Sequence, residues 1–288
     1  MQIRKAERKK AKLRLGIAAP SGAGKTYSAL LMAFGIGGKI GLIDTEHGSG
    51  DLYAHLGEYD VIAIEAPYTV AKYTQAIKAF EDAGYSTIII DSLSHAWAGD
   101  GGLLDKQGKM ADRGTNSFAA WRTITPEHNN LVDAMLRSPA HIIATMRAKQ
   151  EYVLETNDKG KQQPKKVGMA PVQREGMEYE FTVMLDVDMQ HIASASKDRT
   201  GLFDGRFFKI STETGKELLE WLQTGVDTPD VAAILKSLSA SATPEILRSN
   251  YEAAIAMLPE HHHIEINRAT NARKRELEPK QEKETTHA

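Results

Sequence analysis

The sequence predicts an α/β fold with a mostly parallel central sheet, plus a helical appendage at its C-terminal end. Between residues 13 and about 222, short runs rich in β-branched residues alternate with amphipathic segments. This is the order expected when the strands of a parallel sheet are linked by helices. After residue 225 the apolar periodicity is helical only, which indicates a separate group of helices.

Several of the predicted strands are uninterrupted apolar runs, as expected for strands that are buried on both faces of a sheet. They span residues 13–19, 39–44, 61–65, 86–91, 141–145, 180–188 and 190–196. The predicted helices span residues 25–34, 70–83, 117–136 and 214–222, and in the appendage 230–238, 244–257 and 263–278. Residues 99–114 and 147–176 are polar and lack a regular apolar pattern, so we expect two long loops there.

The same patterns divide the chain into three parts. Residues 1–12 form a basic arm, residues 13–225 form the α/β domain, and residues 226–288 form the helical tail. The arm contains six lysine and arginine residues and a single glutamate.

The composition excludes several classes of protein. The 288 residues, 41% hydrophobic and 26% charged, suit a globular protein with a sizeable core and exclude wholesale disorder. The 36 basic residues are balanced by 38 acidic ones, so a nucleic-acid surface would have to be local. No cysteine is present, which excludes disulfides, thiol nucleophiles and cysteine-based zinc sites. No apolar run could span a membrane or serve as a secretory signal, so we expect a cytoplasmic protein without a membrane partner.

The clearest motif is a phosphate-binding loop between a predicted strand and a predicted helix. Residues 19–26 read Ala-Pro-Ser-Gly-Ala-Gly-Lys-Thr, which matches Gly-x-x-x-x-Gly-Lys-Ser/Thr except for alanine at the first glycine. Gly22 and Gly24 let backbone N–H groups face phosphate oxygens. Lys25 would reach the β- and γ-phosphates, and the Thr26 hydroxyl would bind Mg²⁺. The motif predicts ATP and Mg²⁺ as cofactors, with the nucleotide bound by Ala19, Pro20, Ser21, Gly22, Ala23, Gly24, Lys25, Thr26 and Tyr27.

Three polar residues at predicted strand ends suit ATP hydrolysis. Glu46 follows the second strand, which we expect beside the phosphate loop, and it is our candidate for the base that polarises the attacking water. Asp91 ends an apolar strand and would hold Mg²⁺ through water. Thr145 is a candidate sensor of the γ-phosphate. The alternative for Glu46 and Thr145 is an ordinary polar strand end.

Together these motifs resemble the RecA-like branch of phosphate-loop ATPases. Residues 41–47 and 51–56 are similar to the segment that carries the catalytic glutamate of bacterial RecA, and residues 88–92 are similar to its Walker B strand. The sequence also resembles phage-encoded Sak-type annealing and recombination ATPases, which carry a Glu-Tyr-Glu-Phe strand entry like that at residues 178–181. The resemblance covers residues 13–222 approximately. It implies a RecA-like P-loop NTPase core, DNA-stimulated ATP hydrolysis, and residence in the host cell cytoplasm if the protein is phage-encoded.

The resemblance also implies a role for Lys197 and Arg199. Their Lys-x-Arg pattern is similar to the finger that hexameric RecA-like proteins insert into a neighbouring subunit's site. Residues two apart on a strand project to the same side, and two cations there would stabilise charge at a γ-phosphate. The implied assembly is a homo-oligomer, either a ring or a filament, with head-to-tail interfaces. A basic surface turn is the alternative.

Single-stranded DNA is the partner that the resemblance implies, held by the polar stretch 147–174. This stretch carries seven basic and three acidic residues, a local excess that suits sequence-independent contact with phosphates. A solvated loop is the alternative. The predicted contact residues are Arg147, Lys149, Lys159, Lys161, Lys165, Lys166 and Arg174.

The leading hypothesis is an ATP-dependent RecA-like ATPase that binds single-stranded DNA and promotes annealing or strand pairing. One alternative is a DnaB-like ring motor that uses the same site to move along DNA. Another is a nucleotide-gated regulator or scaffold that does not act on DNA. The sequence leaves open whether a single-strand-binding protein is a further partner.

Overall fold

The computed structural model describes residues 5–156, 162–226, 229, 231–258 and 262–277. The chain forms two compact units, one of residues 11–224 and one that combines residues 1–10 with residues 225–288. In the described part of the chain, no helix is both long and apolar enough to cross a membrane.

The larger unit is built on an eight-stranded sheet, and the predicted α/β class is confirmed. Seven strands run in the order β3-β2-β4-β5-β1-β7-β8, and β6 pairs with β5 outside this path. Neighbouring strands are parallel except at the β5–β6 and β7–β8 pairs. The strands are β1 Arg14–Ala19, β2 Ile40–Asp44, β3 Asp60–Ala63, β4 Thr87–Asp91, β5 His141–Thr156, β6 Gln162–Pro171, β7 Val183–Val187 and β8 Ala193–Asp198.

Helices cover both faces of this sheet. They are α1 Lys25–Ile36, α2 Val70–Asp82, α3 Ser94–Ala98, α4 Leu103–Asp112, α5 Ser117–Arg137 and α6 Thr212–Gln223, with 3₁₀ turns at Gly50–Leu56 and Met177–Glu180. Alternate residues of β4 divide between two cores, because Ile88 and Ile90 pack with α2 and α5 whereas Ile89 packs with α1 and α6. The uninterrupted apolar run of β4 is therefore buried on both faces.

The two predicted long loops are wrong. Residues 99–114 contain α4, whose only buried side chain is that of Leu103, so few apolar residues mark this helix in the sequence. Strand β5 continues past Thr145 to Thr156 and forms an antiparallel hairpin with β6. This hairpin extends beyond the parallel sheet and is formed by antiparallel backbone pairing, which the polar sequence of residues 147–176 did not indicate.

The smaller unit contains the three helices predicted in the tail, α7 Val231–Ser239, α8 Pro244–Met257 and α9 His263–Leu277. They share a small core made of Leu238, Leu247, Ala254, Leu258 and Ile266. Within this unit Lys9 also forms a parallel bridge with Val226.

Helices α1 and α6 meet backbone to backbone. A Cβ atom on Gly35 would lie 2.0 Å from the Thr212 carbonyl oxygen and 2.8 Å from the Gly215 Cα, and one on Gly215 would lie 2.3 Å from the Met32 carbonyl oxygen. These neighbours are main-chain atoms, so a methyl group cannot be accommodated by turning a side chain. The glycine pair therefore fixes the helix that follows the phosphate loop.

We expect Gly35→Ala to lower the free energy of unfolding by about 3 kcal/mol, the upper end of the usual effect of overpacking. The urea midpoint of the purified protein measures this change. The matched control is Gly108→Ala in α4, where an added Cβ would have no atom within 4 Å and alanine has the higher helix propensity. Equal loss in the two variants would contradict the close contact.

Candidate functional site: a phosphate loop with a buried aspartate and a paired glutamate

The loop between β1 and α1 has the conformation that its glycines predict. Gly22 and Gly24 have φ values of +81° and +84°, in the left-handed region that favours glycine. The Lys25 ammonium donates a hydrogen bond to the Pro20 carbonyl across the loop, over 3.2 Å. The first N–H groups of α1 have no acceptor within the helix, so this end of the helix can bind an anion.

An open cleft of about 510 Å³ begins at this loop. Tyr27 and Tyr53 lie at its wall with their rings edge to face, the centroids 5.8 Å apart. The volume is within the range of small-molecule sites. The cleft is lined by Gly22, Gly24, Lys25, Thr26, Tyr27, Ser28, Tyr53, His191, Lys209 and Ile210.

Asp91 lies at the carboxyl end of β4 and is held by two hydroxyl groups. Thr26 donates to its Oδ2 and Thr145 to its Oδ1, each over 2.5 Å. Burial raises the pKa of Asp91 above its usual range, and the two hydroxyl hydrogen bonds oppose this shift. Thr145 is fully buried within β5, so its hydroxyl orients the aspartate.

The Thr26 hydroxyl and the Asp91 carboxylate fit a magnesium ion. Both are hard oxygen ligands, and they lie beside the lysine that would hold phosphates. Across the described residues, no cluster of three or more histidine, cysteine or acidic side chains could bind a metal alone. The pair Thr26 and Asp91 suits Mg²⁺, because this ion usually takes one or two carboxylates and completes its shell with phosphate and water. Bound there, the ion would neutralise charge on the phosphate oxygens.

Glu46 lies just beyond β2, but the prediction that β2 lies beside the strand of the phosphate loop is wrong. Strand β2 is separated from β1 by β4 and β5, so it is not the neighbour of the strand that leads into the phosphate loop. Glu46 is nevertheless close enough for its charge to act on Lys25. Burial lowers the pKa of Lys25 below its usual range. The charges of Asp91 and Glu46 oppose this shift without cancelling it.

The Glu46 carboxylate is bound by three donors. Its Oε2 accepts from Arg147 Nη2 over 2.5 Å, and its Oε1 accepts from Arg147 Nε and from the Ser92 hydroxyl over 3.0 Å each. Burial alone would raise the pKa of Glu46, but the hydrogen bonds and charge of Arg147 outweigh it and the pKa lies below its usual range. The sequence predicts that Arg147 contacts DNA, whereas in the structure its side chain pairs with Glu46.

A polar network under Glu46 was not predicted. The Ser92 N–H donates to the Thr45 hydroxyl over 2.9 Å, and that hydroxyl shares a 2.7 Å hydrogen bond with His95 Nδ1. The His95 ring stacks on Tyr68 with centroids 4.7 Å apart. Thr45 and Ser92 directly follow the strand-end residues Asp44 and Asp91. Their position after these carboxylates is the feature of the sequence that could have predicted the network.

His191 is a further residue beside the phosphate loop that the sequence did not predict. It lies in the turn between β7 and β8, where its Nδ1 hydrogen bonds to the Ala23 carbonyl over 3.1 Å. A Cβ atom on Gly24 would lie 3.4 Å from the same nitrogen. The turn therefore packs on the phosphate loop from the side of β7, and no local motif marks this contact.

The sequence matches the family model described as AAA domain over residues 11–216, which is most of the chain. The chain belongs to this AAA domain family. Its members are P-loop ATPases, so a nucleotide-binding and hydrolysing core is what the family and the site geometry together support. The AAA domain match includes the phosphate loop, Glu46, Asp91 and the β5–β6 hairpin, and excludes the tail helices. No curated protein matches the sequence significantly.

In this AAA domain, Lys197 and Arg199 lie at the opposite end of the sheet from the phosphate loop. Lys197 is paired with Met184 on β7, near the end where β1 begins. The side chains point to a common site, because Lys197 Nζ and Arg199 Nη2 donate to the Tyr179 carbonyl over 2.5 and 3.0 Å. They are therefore remote from the phosphate loop of their own chain.

The predicted DNA-contacting residues differ in where the structure places them. Lys149 is exposed on β5, whereas Arg147 is paired with Glu46 and Arg174 is half-buried after β6. Lys165 and Lys166 belong to β6, where their backbones are paired with Val153 and Tyr152. Lys159 and Lys161 lie outside the described residues.

Proposed function

We propose that this AAA domain protein is a Mg²⁺- and ATP-dependent RecA-like recombinase or annealing ATPase, which binds single-stranded DNA and hydrolyses ATP between subunits. The observation that carries the proposal is the course of β5. Strand β5 runs past the end of the parallel sheet where Asp91 and Glu46 lie, and it continues into the β5–β6 hairpin. The sequence of this hairpin has an excess of basic residues. A ligand on the hairpin would thus have a direct structural connection to the hydrolytic residues.

The geometry supports a division of roles at the phosphate loop. Lys25 and the N-terminus of α1 would bind the β- and γ-phosphates. Thr26 and Asp91, already joined by a hydrogen bond, would hold Mg²⁺. Glu46 would orient the attacking water and accept its proton, for which a carboxylate must lie within hydrogen-bond reach.

The position of Lys197 and Arg199 supports hydrolysis at an interface. Because they lie at the far end of the sheet, a second copy placed head to tail would bring them towards its neighbour's phosphate loop. Cations there would stabilise the negative charge that builds up on the γ-phosphate in the transition state. The assembly would be a ring or a filament.

Binding to a fluorescent oligo(dT) strand tests the DNA proposal through anisotropy. We expect binding at low salt that is tighter with ATP and Mg²⁺ and weakens as salt rises, because phosphate contacts release counterions. Lys165→Gln combined with Lys166→Gln should reduce the slope of log K against log salt by about 1.4, at about 0.7 for each contact. The control, Lys78→Gln with Lys216→Gln, removes two exposed lysines from α2 and α6.

The two alternative functions have distinct outcomes in the same assay. No binding at low salt, with or without nucleotide, would contradict the proposal and favour a nucleotide-gated regulator or scaffold. Binding accompanied by ATP-driven displacement of a duplex strand would favour a DnaB-like motor.

A further inference from the structure

The turn that joins β7 to β8 is closed by its own hydrogen bonds. The Asp188 Oδ1 accepts from the N–H groups of Gln190 and Ile192 over 2.9 and 2.8 Å. The His191 N–H donates to the Asp188 carbonyl over 3.0 Å, and the Asp188 N–H donates to the Ile192 carbonyl over 3.0 Å. The side chain of His191 therefore extends from a backbone with a defined conformation.

His191 has a backbone conformation that few residues with a side chain adopt. Its φ is +63°, in the left-handed region that is unfavourable for a residue with a Cβ atom. Such conformations persist where the surrounding contacts maintain them, and they are concentrated at ligand-binding sites. His191 also lines the cleft that begins at the phosphate loop, together with Gly24 and Tyr27. The two observations together point to a role for His191 in binding the ligand of this cleft.

The contact with Ala23 determines which ring nitrogen of His191 carries the proton. A backbone carbonyl can only accept, so His191 Nδ1 donates to the Ala23 carbonyl over 3.1 Å. In the neutral imidazole, a proton on Nδ1 leaves Nε2 as an acceptor with one lone pair. No residue that the structure describes forms a hydrogen bond with Nε2. This nitrogen is therefore available to a hydrogen-bond donor of the ligand.

Only some groups of a nucleotide can donate a hydrogen bond to such an acceptor. Ionised phosphate oxygens are acceptors themselves, and the lone pair of Nε2 would repel them. The donors of ATP are the hydroxyl groups of the ribose and the amino group of adenine. His191 packs against Gly24, inside the loop that would bind the phosphates. The ribose directly follows the α-phosphate, whereas the amino group lies at the far end of the base, so the ribose hydroxyls are the nearer donors.

We propose that His191 Nε2 accepts a hydrogen bond from a ribose hydroxyl of the bound nucleotide, so that the site selects ribonucleotides over deoxyribonucleotides. This inference rests on the proposed ATP binding and adds the sugar that the site prefers. A site that hydrogen-bonds a hydroxyl discriminates against the analogue that lacks it, because the polar group of the site then loses its partner. His191 is exposed, so water can replace the missing hydroxyl and the preference is moderate.

Titration calorimetry with Mg²⁺ and unlabelled nucleoside diphosphates tests this preference without any hydrolysis of a γ-phosphate. We expect the wild type to bind ADP about fivefold more tightly than at least one of 2′-deoxy-ADP and 3′-deoxy-ADP, the effect of one hydrogen bond. The two analogues show which hydroxyl makes the contact. A general distortion of the phosphate loop would weaken all three nucleotides by the same factor, so the ratio of affinities reports the hydroxyl contact.

Two variants of His191 remove the acceptor in different ways. His191→Asn keeps an amide N–H that can donate to the Ala23 carbonyl and tolerates positive φ, but its side chain is too short to place an acceptor at Nε2. His191→Phe keeps a ring and has neither nitrogen. Both variants should bind ADP and the deoxy analogues equally. The control, Lys209→Gln, changes the charge of another cleft residue and should weaken all three nucleotides equally, which preserves the ratio.

Three results would count against the proposal. Equal affinities of the wild type for ADP and both deoxy analogues, or a preference that persists in both His191 variants, would overturn this inference alone. The same follows if the variants instead abolish a preference for ADP over inosine diphosphate, in which an oxygen replaces the amino group, because Nε2 would then contact the base. A wild type that binds none of the diphosphates would overturn the proposed function as well.

Discussion

Replacing Glu46 with glutamine is expected to reduce ATP hydrolysis by about two to four orders of magnitude, the usual contribution of a general base. Glutamine has nearly the same size but cannot accept the proton of the attacking water. The phosphate loop, Thr26 and Asp91 are unchanged, so binding of a fluorescent ATP analogue should stay within about twofold of the wild type. Phosphate release and analogue titration, measured on the same preparation, separate the two effects.

The control for this experiment is Glu220→Gln, an exposed residue of α6 on the outside of the domain. It changes the net charge equally and should leave turnover intact. Undiminished hydrolysis in Glu46→Gln would show that another group activates the water. Loss of nucleotide binding in the same variant would instead place Glu46 among the binding residues.

Replacing both Lys197 and Arg199 with alanine is expected to reduce hydrolysis by about a thousandfold, in line with the effect of arginine fingers in related chemistry. The variant keeps an intact phosphate loop, so its defect should be repaired by a neighbour that supplies the two cations. Mixed in equal amounts with Glu46→Gln, about a quarter of head-to-tail interfaces would join an intact base to an intact finger. Turnover should therefore recover in the mixture to about a quarter of the wild-type rate.

Two outcomes would contradict this assignment. One is full activity in the double alanine variant, and the other is a mixture that stays as inactive as its components although both remain assembled. The control pair Arg137→Ala and Lys216→Ala removes two exposed cations that pair within their own helices. This control variant should hydrolyse ATP at the wild-type rate without being mixed with another variant.

The parts of the site that are contiguous in sequence could be predicted. The conformation of residues 19–26 follows from glycines placed where φ must be positive, and Thr26 then lies in the first turn of the helix that follows. Asp91 could be predicted because a buried strand of three isoleucines ends in a carboxylate, and its hydrogen bond with Thr26 shows that the two oxygen groups are adjacent.

The parts that depend on strand order could not be predicted. The sequence gives no direct information on which strands are neighbours, so β2 was expected beside β1 although two strands separate them. Arg147 was counted among the charges of a loop because composition records the sign of a residue and not its partner. His191 contacts Ala23 from a turn 168 positions away, and no periodicity marks such a contact.

The glycine contact between α1 and α6 restricts movement of the helix that follows the phosphate loop. No side chain lies between Gly35 and Gly215 to be compressed or to change rotamer. We therefore expect the helix that carries Lys25 to keep its position against α6. Rearrangement after loss of the γ-phosphate is then expected beyond the ends of β2 and β5, where Glu46 and Arg147 are paired. We therefore expect the phosphate-loop side of the nucleotide site to stay fixed and the side that contains Glu46 and Arg147 to rearrange.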